Sequence, residues 1–260
     1  MINVIIENFA KFFPEINSAL GAGILVFVRF LGLMRFAPVL NRKEIPGIVK
    51  LSFSLIFTVI LVSVLKPPAP PQGVSLIYSV IINFVFGALM GYVANCIMSA
   101  IEAGGDMINM QMGLSSSMVL DPTTQSQVSI LGKFIGLLGI LIFMNIGGLY
   151  WIFNAFLRSF EIFPVYAASI PLDKIVNMQY IITITSNVLY VGLQIASPIL
   201  LATLGQDIIL GIISKTAPQI NVFQLSFLFK PVFGAALLLW IMPILCNVIS
   251  DYFLSFSQIF

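Results

Sequence analysis

The stretch from Val74 to Ile101 reads VSLIYSVIINFVFGALMGYVANCIMSAI, and none of its 28 side chains is charged. A helix of roughly 20 apolar residues is long enough to cross the hydrocarbon core of a membrane. Three more uncharged runs of similar length follow, from Phe134 to Phe156, from Ile175 to Gln206 and from Pro231 to Ser250. The sequence therefore predicts four helices that span a membrane.

Two weaker apolar segments precede all four of these runs. Ile16 to Met34 contains Arg29, and Leu51 to Leu65 is a run of only 15 residues between two lysines. At about 1.5 Å per residue, the second segment covers roughly 22 Å as a helix, which is less than a hydrocarbon core of roughly 30 Å. Either the flanking lysines extend this segment by snorkelling, or it does not cross lipid.

The composition indicates the class of protein. Of 260 residues, 59% are hydrophobic and only 8% are charged, whereas a soluble domain carries roughly 25% charged residues. We therefore expect an all-α integral membrane protein in which residues 1–260 form a single domain of helical hairpins. The net charge of +2 is too small to indicate a nucleic acid as partner. Basic residues are divided almost evenly between alternate loops, so the positive-inside rule leaves the membrane orientation open.

Prolines mark the expected breaks between helices. The KPPAPP run from Lys66 to Pro71 is predicted to be a stiff, extended connector, since proline fixes φ and is excluded from helix interiors. Pro198 and Pro243 are expected to kink the helices that contain them. Thr124 or Ser126 is predicted to cap the next helix at its N-terminus.

Most enzyme classes are excluded by what the chain lacks. Without histidine it cannot form a Ser-His-Asp triad or an H-E-x-x-H zinc site. Its acidic residues are dispersed, and it has no G-x-x-x-x-G-K-[ST] phosphate-binding loop. Ser129 and Lys133, one helical turn apart, are expected to be a helix-end pair rather than a catalytic dyad. We therefore expect no enzymatic activity, no cofactor and no metal site.

The segment from Glu102 to Pro122 reads EAGGDMINMQMGLSSSMVLDP and differs from an ordinary membrane loop. Methionine is unbranched and polarisable, so clustered methionines can fill an irregular gap and re-form after being disturbed. The glycines permit unusual backbone angles and close approaches, and the serines can bond to backbone where a helix is interrupted. Irregular backbone at membrane depth is tolerated only when it is buried in protein or lines a water-filled cavity. Two interpretations follow, a deformable seal or a flexible loop with core methionines.

Two arginines lie in or at the end of the first apolar segment. Arg29 and Arg35 are six positions apart, hence about 240° apart on a helix, and cannot form one stripe. Arg29 predicts either an ion path or a partner such as a carboxylate or backbone carbonyls. Arg35 is followed by Ala37 and Pro38, and we expect it to end the helix at an interface.

Small residues and amides indicate contacts between helices. The Gly87-x-x-x-Gly91 and Gly132-x-x-x-Gly136 motifs each place two small residues on one helix face for close packing. Side-chain amides within the apolar runs are costly against lipid unless they are hydrogen-bonded, so we expect them to face other protein chains. These amides belong to Asn83, Asn95, Asn145, Asn187, Gln194 and Asn247.

Three segments carry a family resemblance. They are RFLGLMRFAPVLNRKEIPGIVKLSFS from Arg29 to Ser54, AGGDMINMQMGLSSSMVLDP from Ala103 to Pro122, and GIISKTAPQINVFQLSFLFKP from Gly211 to Pro231. In this order they resemble the signatures of the FliR family of flagellar biosynthesis proteins. Two departures are modest: Gly105 and Asp106 stand where the family often has a glutamate and aliphatic residues, and Lys215 replaces a frequent arginine.

The resemblance implies a component of the flagellar type III protein export gate. In that family, one copy assembles with several copies of FliP and FliQ into a helical collar, and a methionine-containing loop plugs the central pore. Mapped onto this chain, the pore-plug loop falls on residues 102–122. The residues expected to form the plug are Met107, Met110, Gln111, Met112, Gly113, Leu114, Ser115, Ser116, Ser117, Met118, Asp121 and Pro122.

The resemblance also implies further partners and a location. Those partners are the export switch FlhB, proximal rod or FliE subunits, and the flagellar proteins that pass through the gate. The location is the flagellar basal body in the bacterial cytoplasmic (inner) membrane. Two alternatives remain: a virulence-type secretion homologue, which shares fold and mechanism, and a small-solute transporter, for which paired broken helices, a midplane site and often inverted repeats are expected.

Overall fold

A computed structural model describes residues 14–42, 45–65, 76–114, 119–120, 127–166 and 178–257. Within these ranges the chain is helical apart from one antiparallel pair of two-residue strands, which confirms the all-α class. The helices are α1 Pro14–Phe36, α2 Gly47–Leu65, α3 Leu76–Gln111, α4 Ile130–Asn145, α5 Gly148–Ile162, α6 Met178–Thr216 and α7 Val222–Ser257. The strands are β1 Val119–Leu120 and β2 Gln127–Val128. Residues 1–95 and 152–178 form one compact unit, and residues 96–151 and 179–260 form a second.

Four helices in the described part of the chain, α2, α3, α6 and α7, are long and apolar enough to cross a membrane. The second apolar segment reaches this length because α2 begins at Gly47, before Leu51. Its 19 residues therefore extend over about 28 Å. The multi-pass membrane class is confirmed.

Helix α2 buries two of its hydroxyl groups and exposes most of its apolar side chains. Ser54 and Thr58 are buried, and their hydroxyls donate to the carbonyl oxygens of Lys50 and Ser54 at 2.7 Å. Ile48 and Val59, by contrast, are 75% and 67% exposed. This distribution is the reverse of that in a water-soluble helix, and it suits a surface in contact with lipid or with another apolar helix.

The uninterrupted span predicted from Phe134 to Phe156 is wrong. Helix α4 ends at Asn145, α5 begins at Gly148, and the two helices are bent by 67°. Gly147 adopts a φ of +81°, a left-handed conformation that glycine reaches without steric cost. The carbonyl oxygen of Met144 accepts a hydrogen bond from the amide of Gly147 at 3.2 Å, so the turn closes locally.

The predicted start of α4 also needs correction. Thr124 and Ser126 lie outside the described residues, and the N-cap of α4 is Ser129, whose hydroxyl accepts from the amide of Gly132 at 2.9 Å. Its role at a helix end agrees with the prediction for this serine. Helices α6 and α7 continue through Pro198 and through Pro231 and Pro243. The proline-rich connector from residue 66 to 71 lies outside the described residues.

In the first unit, an aromatic cluster joins α1, α2 and α5. The ring of Phe30 lies 4.6 Å from that of Phe57 and 5.1 Å from that of Phe156, measured between centroids. Phe53 and Phe153 complete the cluster. Stacked, tilted and edge-on ring pairs of this kind add to the stabilisation that burial provides.

Glycines of α3 bring that helix close to α1 within the same unit. A Cβ at Gly87 would collide with the carbonyl oxygen of Arg29, and one at Gly91 would lie 2.8 Å from the amide nitrogen of Ala37. The close packing predicted from the Gly87-x-x-x-Gly91 motif is confirmed.

In the second unit, small residues bring the later part of α3 against α4 and α6. A Cβ at Gly104 would lie 3.0 Å from the carbonyl oxygen of Gly192, and one at Gly105 would lie 2.7 Å from the Cα of Gly132. A Cβ at Gly136 would press on a side chain of α3. The second glycine motif therefore also marks a helix contact, as predicted.

Candidate functional site

The segment predicted as a plug loop begins as helix. Residues 102–111 continue α3, so a loop that starts at residue 102 is wrong, and the chain leaves the helix only at Met112 and Gly113. Gly113 has a φ of +72°, and its amide donates to the carbonyl oxygen of Met110 at 3.1 Å. Nothing lies within 4 Å of the position that a Cβ would take at Gly113. The glycine is therefore required for the left-handed backbone that ends α3, rather than for a close approach.

After this turn the chain doubles back. The Cα atoms of Val119 and Leu120 pair with those of Val128 and Gln127, so β1 and β2 bring the two arms of the segment together. Six of the predicted plug residues lie outside the described residues, and their role stays a prediction. They are Ser115, Ser116, Ser117, Met118, Asp121 and Pro122.

The described methionines of the segment differ in their surroundings. Met112 is 1% exposed, and a Cβ at Gly234 of α7 would lie 2.6 Å from its Cγ and 2.8 Å from its Cε. Met110 is 67% exposed, and Met107 is half-buried. Met112 therefore holds the end of α3 against a notch in α7, whereas Met110 presents a flexible apolar side chain outward.

The base of the segment is fixed by polar and backbone contacts. The Ser129 hydroxyl donates to Asp106 Oδ1 in a short hydrogen bond, while it caps α4. Gly105 touches the backbone of Gly132 directly beside this pair. The two ends of the segment are thus held together at Asp106 and Ser129. The sequence signal for Ser129 was its position directly before the apolar run of α4.

Asn109 is a site residue that the sequence patterns did not single out. It is 1% exposed, and neither atom of its amide has a hydrogen-bond partner among the described residues. Buried side-chain amides are nearly always hydrogen-bonded, and leaving one unsatisfied costs about 1–3 kcal/mol. The end of α3 therefore combines a close apolar contact at Met112 with a buried, unsatisfied amide at Asn109.

Arg29 is fully buried in the first unit and donates four hydrogen bonds. Its guanidinium donates to Asn83 Oδ1 and to the carbonyl oxygen of Phe163, both at 2.9 Å, and to the carbonyl oxygen of Ser159 at 3.2 Å. It also lies 4.3 Å from the centroid of the Phe160 ring. These carbonyls are at the negative end of the α5 dipole, which stabilises a cation. Of the two predictions for Arg29, the one with carbonyl partners fits this geometry, and an ion path does not.

Two other predicted polar residues have local roles. Arg35 is exposed in the last turn of α1, where it donates to Asn41 Oδ1 at 3.1 Å, so it lies at the helix end as expected. Asn83, expected to face another chain, instead donates to the carbonyl oxygens of Ser79 and Val165 within the first unit.

Within the described residues, no group of three Cys, Asp or Glu side chains could hold a metal ion.

Comparison with known proteins identifies a family and several similar proteins. The model of the family "Bacterial export proteins, family 1" matches residues 20–256. The chain is similar to the flagellar biosynthetic protein FliR of Escherichia coli K12, with 25% identity over 90% of this chain and 87% of that protein. It is also similar to FliR of Buchnera aphidicola subsp. Baizongia pistaciae, with 29% identity over 84% of each chain. The surface presentation of antigens protein SpaR of Shigella flexneri is 25% identical over 79% of this chain and 78% of that protein.

Proposed function

Since this chain belongs to family 1 of the bacterial export proteins and is a component of a flagellar or type III export system, we propose that residues 107–122 plug its protein-conducting pore. The plug closes the gate when no protein is being exported. Unfolded flagellar subunits displace it as they pass.

The observation that carries this proposal is that one methionine of the segment is buried while another, two residues away, is exposed. Met112 is buried against Gly234, and the exposed side chain of Met110 lies two residues before it. A seal that must open repeatedly requires an anchored base and, beside it, deformable apolar side chains. Methionine supplies such side chains. A hydrophobic constriction blocks ions by dewetting, so such side chains can close a pore without a tight mechanical fit.

The family to which the chain belongs indicates which proteins surround the plug. We propose that the chain joins FliP and FliQ in a helical collar at the flagellar basal body, in contact with FlhB and with proximal rod or FliE subunits. The apolar surface of the chain supports this assembly, because side chains such as Phe223 and Trp240 are 75% and 82% exposed. Large exposed apolar surfaces of this kind require lipid or protein cover.

A virulence-type secretion gate is the second candidate. The similarity to SpaR favours it, and the fold and plug would be the same with a different exported protein. Small-solute transport is less well supported, because the described residues contain a single bent helix pair, α4 with α5, whereas paired broken helices are expected of many such transporters.

Gene deletion combined with purification tests the proposed function. A strain that lacks this chain should make no flagella, and a tagged copy should restore swimming and co-purify with the FliP and FliQ proteins of the same organism. A swimming deletion strain that has lost secretion of virulence proteins would instead favour the second candidate. A tagged chain that restores neither process and purifies without other export proteins would contradict both.

A further inference from the structure

Helices α6 and α7 are antiparallel arms of a hairpin, and a groove of about 390 Å³ lies between them. It lies where α6 begins and α7 ends, at the far end from the connecting turn. Residues three, four and seven positions apart share one face of a helix, and both helices contribute such a face. We call this the polar groove, and its polar lining comprises Asn187, Tyr190, Gln194, Asp251, Tyr252 and Ser255.

The polar groove contains hydrogen-bonding groups that remain unused. Among the described residues, the amides of Asn187 and Gln194 and the carboxylate of Asp251 have no hydrogen-bond or ion-pair partner. Two other polar groups of the same hairpin, by contrast, are satisfied internally. The hydroxyl of Ser197 donates to its own helix backbone, and the carboxylate of Asp207 is paired with Lys230 at 2.7 Å.

These groups lie on helices whose remaining surface is apolar. Leu189 and Leu193 beside the polar groove are 66% and 52% exposed, and both helices meet the length and hydropathy of membrane spans. An unpaired carboxylate and two unpaired amides are unfavourable next to lipid, because each loses its hydration without compensation. An occupant that fits must therefore supply a positive charge and several hydrogen-bond donors.

Arg29 of this same chain shows which side chain meets those requirements. Its guanidinium is buried between an amide oxygen, backbone carbonyls and the face of an aromatic ring. The polar groove offers amide oxygens from Asn187 and Gln194 and the rings of Tyr190 and Tyr252, with the Asp251 carboxylate in addition. A guanidinium has five donors in a planar fork, which matches a carboxylate flanked by amides better than an ammonium does.

We propose that the polar groove binds a membrane helix from a different protein of the export complex, and that this helix places an arginine against Asp251. The inference rests on the proposed function only for the presence of a neighbouring subunit. It adds the chemistry by which that neighbour is recognised. Electrostatic complementarity of this kind selects the partner and fixes the register of the contact.

A photo-crosslinking amino acid at Tyr190, in the assembled complex in its native membrane, tests the proposal. The crosslinked peptide, identified by mass spectrometry, should come from a membrane helix of another protein with an arginine within one turn of the crosslink. Asp251→Lys should reduce the crosslink yield at least about tenfold, because the introduced lysine would repel the arginine of the partner helix. Asp251→Asn should reduce it less, and Asp207→Asn, the matched control, should leave it unchanged because that carboxylate is paired internally.

Charge reversal completes the test. Asp251→Arg combined with replacement of the mapped arginine by aspartate should restore the crosslink. Crosslinks only to lipid, to a second copy of this chain or to a helix without arginine would overturn the proposal, and so would full yield in both Asp251→Lys and Asp251→Asn. Failure to co-purify with any export protein would instead count against the proposed function, which is measured separately.

Discussion

Met110 and Met112 lie two positions apart and have opposite environments, one 67% and the other 1% exposed. Helical geometry explains this difference, because positions two apart face in nearly opposite directions. Met112 anchors the end of α3 in the notch at Gly234, and Met110 remains exposed, where we propose that it contributes to the seal. We therefore propose that anchoring and sealing belong to different methionines of one cluster.

Replacing Gly234 by alanine tests the anchoring role. The new Cβ would lie 2.6 Å from Met112 Cγ, so the methionine must leave its position. We expect an assembled complex with increased ion permeability, measured as loss of membrane potential in cells. Gly211→Ala is the matched control, because nothing lies within 4 Å of its Cβ position and both changes favour helix by about 1 kcal/mol. Equal permeability in the two variants would show that the Met112 contact does not contribute to closure.

Gly113→Val tests the left-handed turn that ends α3. Its φ of +72° costs an L-residue about 1–2 kcal/mol, and a β-branched side chain more. We expect the plug to be misplaced, with swimming and secretion of hook protein strongly reduced. Gly113→Asn should retain most activity, because asparagine adopts this conformation more readily. Normal swimming of the valine variant would mean that the turn has no special role.

Among the helices of the first unit, the α1–α5 contact combines the aromatic cluster with one buried cation. Arg29 binds the carbonyl oxygens of Ser159 and Phe163 at the end of α5, together with the amide of Asn83 from α3. Three helices of the first unit therefore meet at a single guanidinium. The bent pair of α4 and α5 depends in turn on the left-handed Gly147.

Arg29→Lys should destabilise the complex, and Arg35→Lys should not. An ammonium cannot reach the three acceptors at once, and loss of a charged hydrogen bond in a buried site costs about 1.5–3 kcal/mol. Arg35 is exposed and makes a single described side-chain bond to Asn41. The measurement is the temperature at which the purified complex dissociates. Equal temperatures for the two variants would contradict the structural role of Arg29.

Some of these elements could be predicted from the sequence and others could not. The membrane class was predictable because uncharged runs of 20 or more residues report directly on transfer into lipid. The break at Gly147 was not, because it falls within a run that is apolar on both sides. The contacts of Met112 with Gly234 and of Arg29 with Ser159 depend on residues distant in the chain, which local patterns do not identify. The turn at Gly113 was predictable because glycine permits the positive φ that such a bend requires.

At the scale of the whole molecule, the exposed surface is apolar but interrupted by polar groups. Trp240 is 82% exposed, while Asn187, Gln194 and Asp251 have no described partner. The chain therefore has a surface that neither water nor lipid covers well, and other subunits would complete it. Arg29 finds its hydrogen-bond partners within the first unit and does not contribute to this requirement.

We expect this chain to be unstable when it is produced alone. Unpaired amides and a carboxylate on apolar helices are unfavourable without protein partners. Expressed by itself, it should be degraded or polydisperse in detergent, and co-expression with the FliP and FliQ proteins of its organism should stabilise it. Size-exclusion chromatography measures this directly. A long-lived, monodisperse monomer would contradict the prediction.

If residues 107–122 seal a pore, as we propose, a variant that lacks Met110 to Ser116 should be permeable to ions. The deletion leaves the Asp106–Ser129 and Asp207–Lys230 contacts in place, so the complex should assemble. Without the plug side chains, a water-filled path should remain open. If assembly fails, alanine replacement of Met107, Met110 and Met112 provides the milder variant. We expect an assembled complex that depolarises the membrane, whereas an assembled complex as tight to ions as the parent would contradict the account.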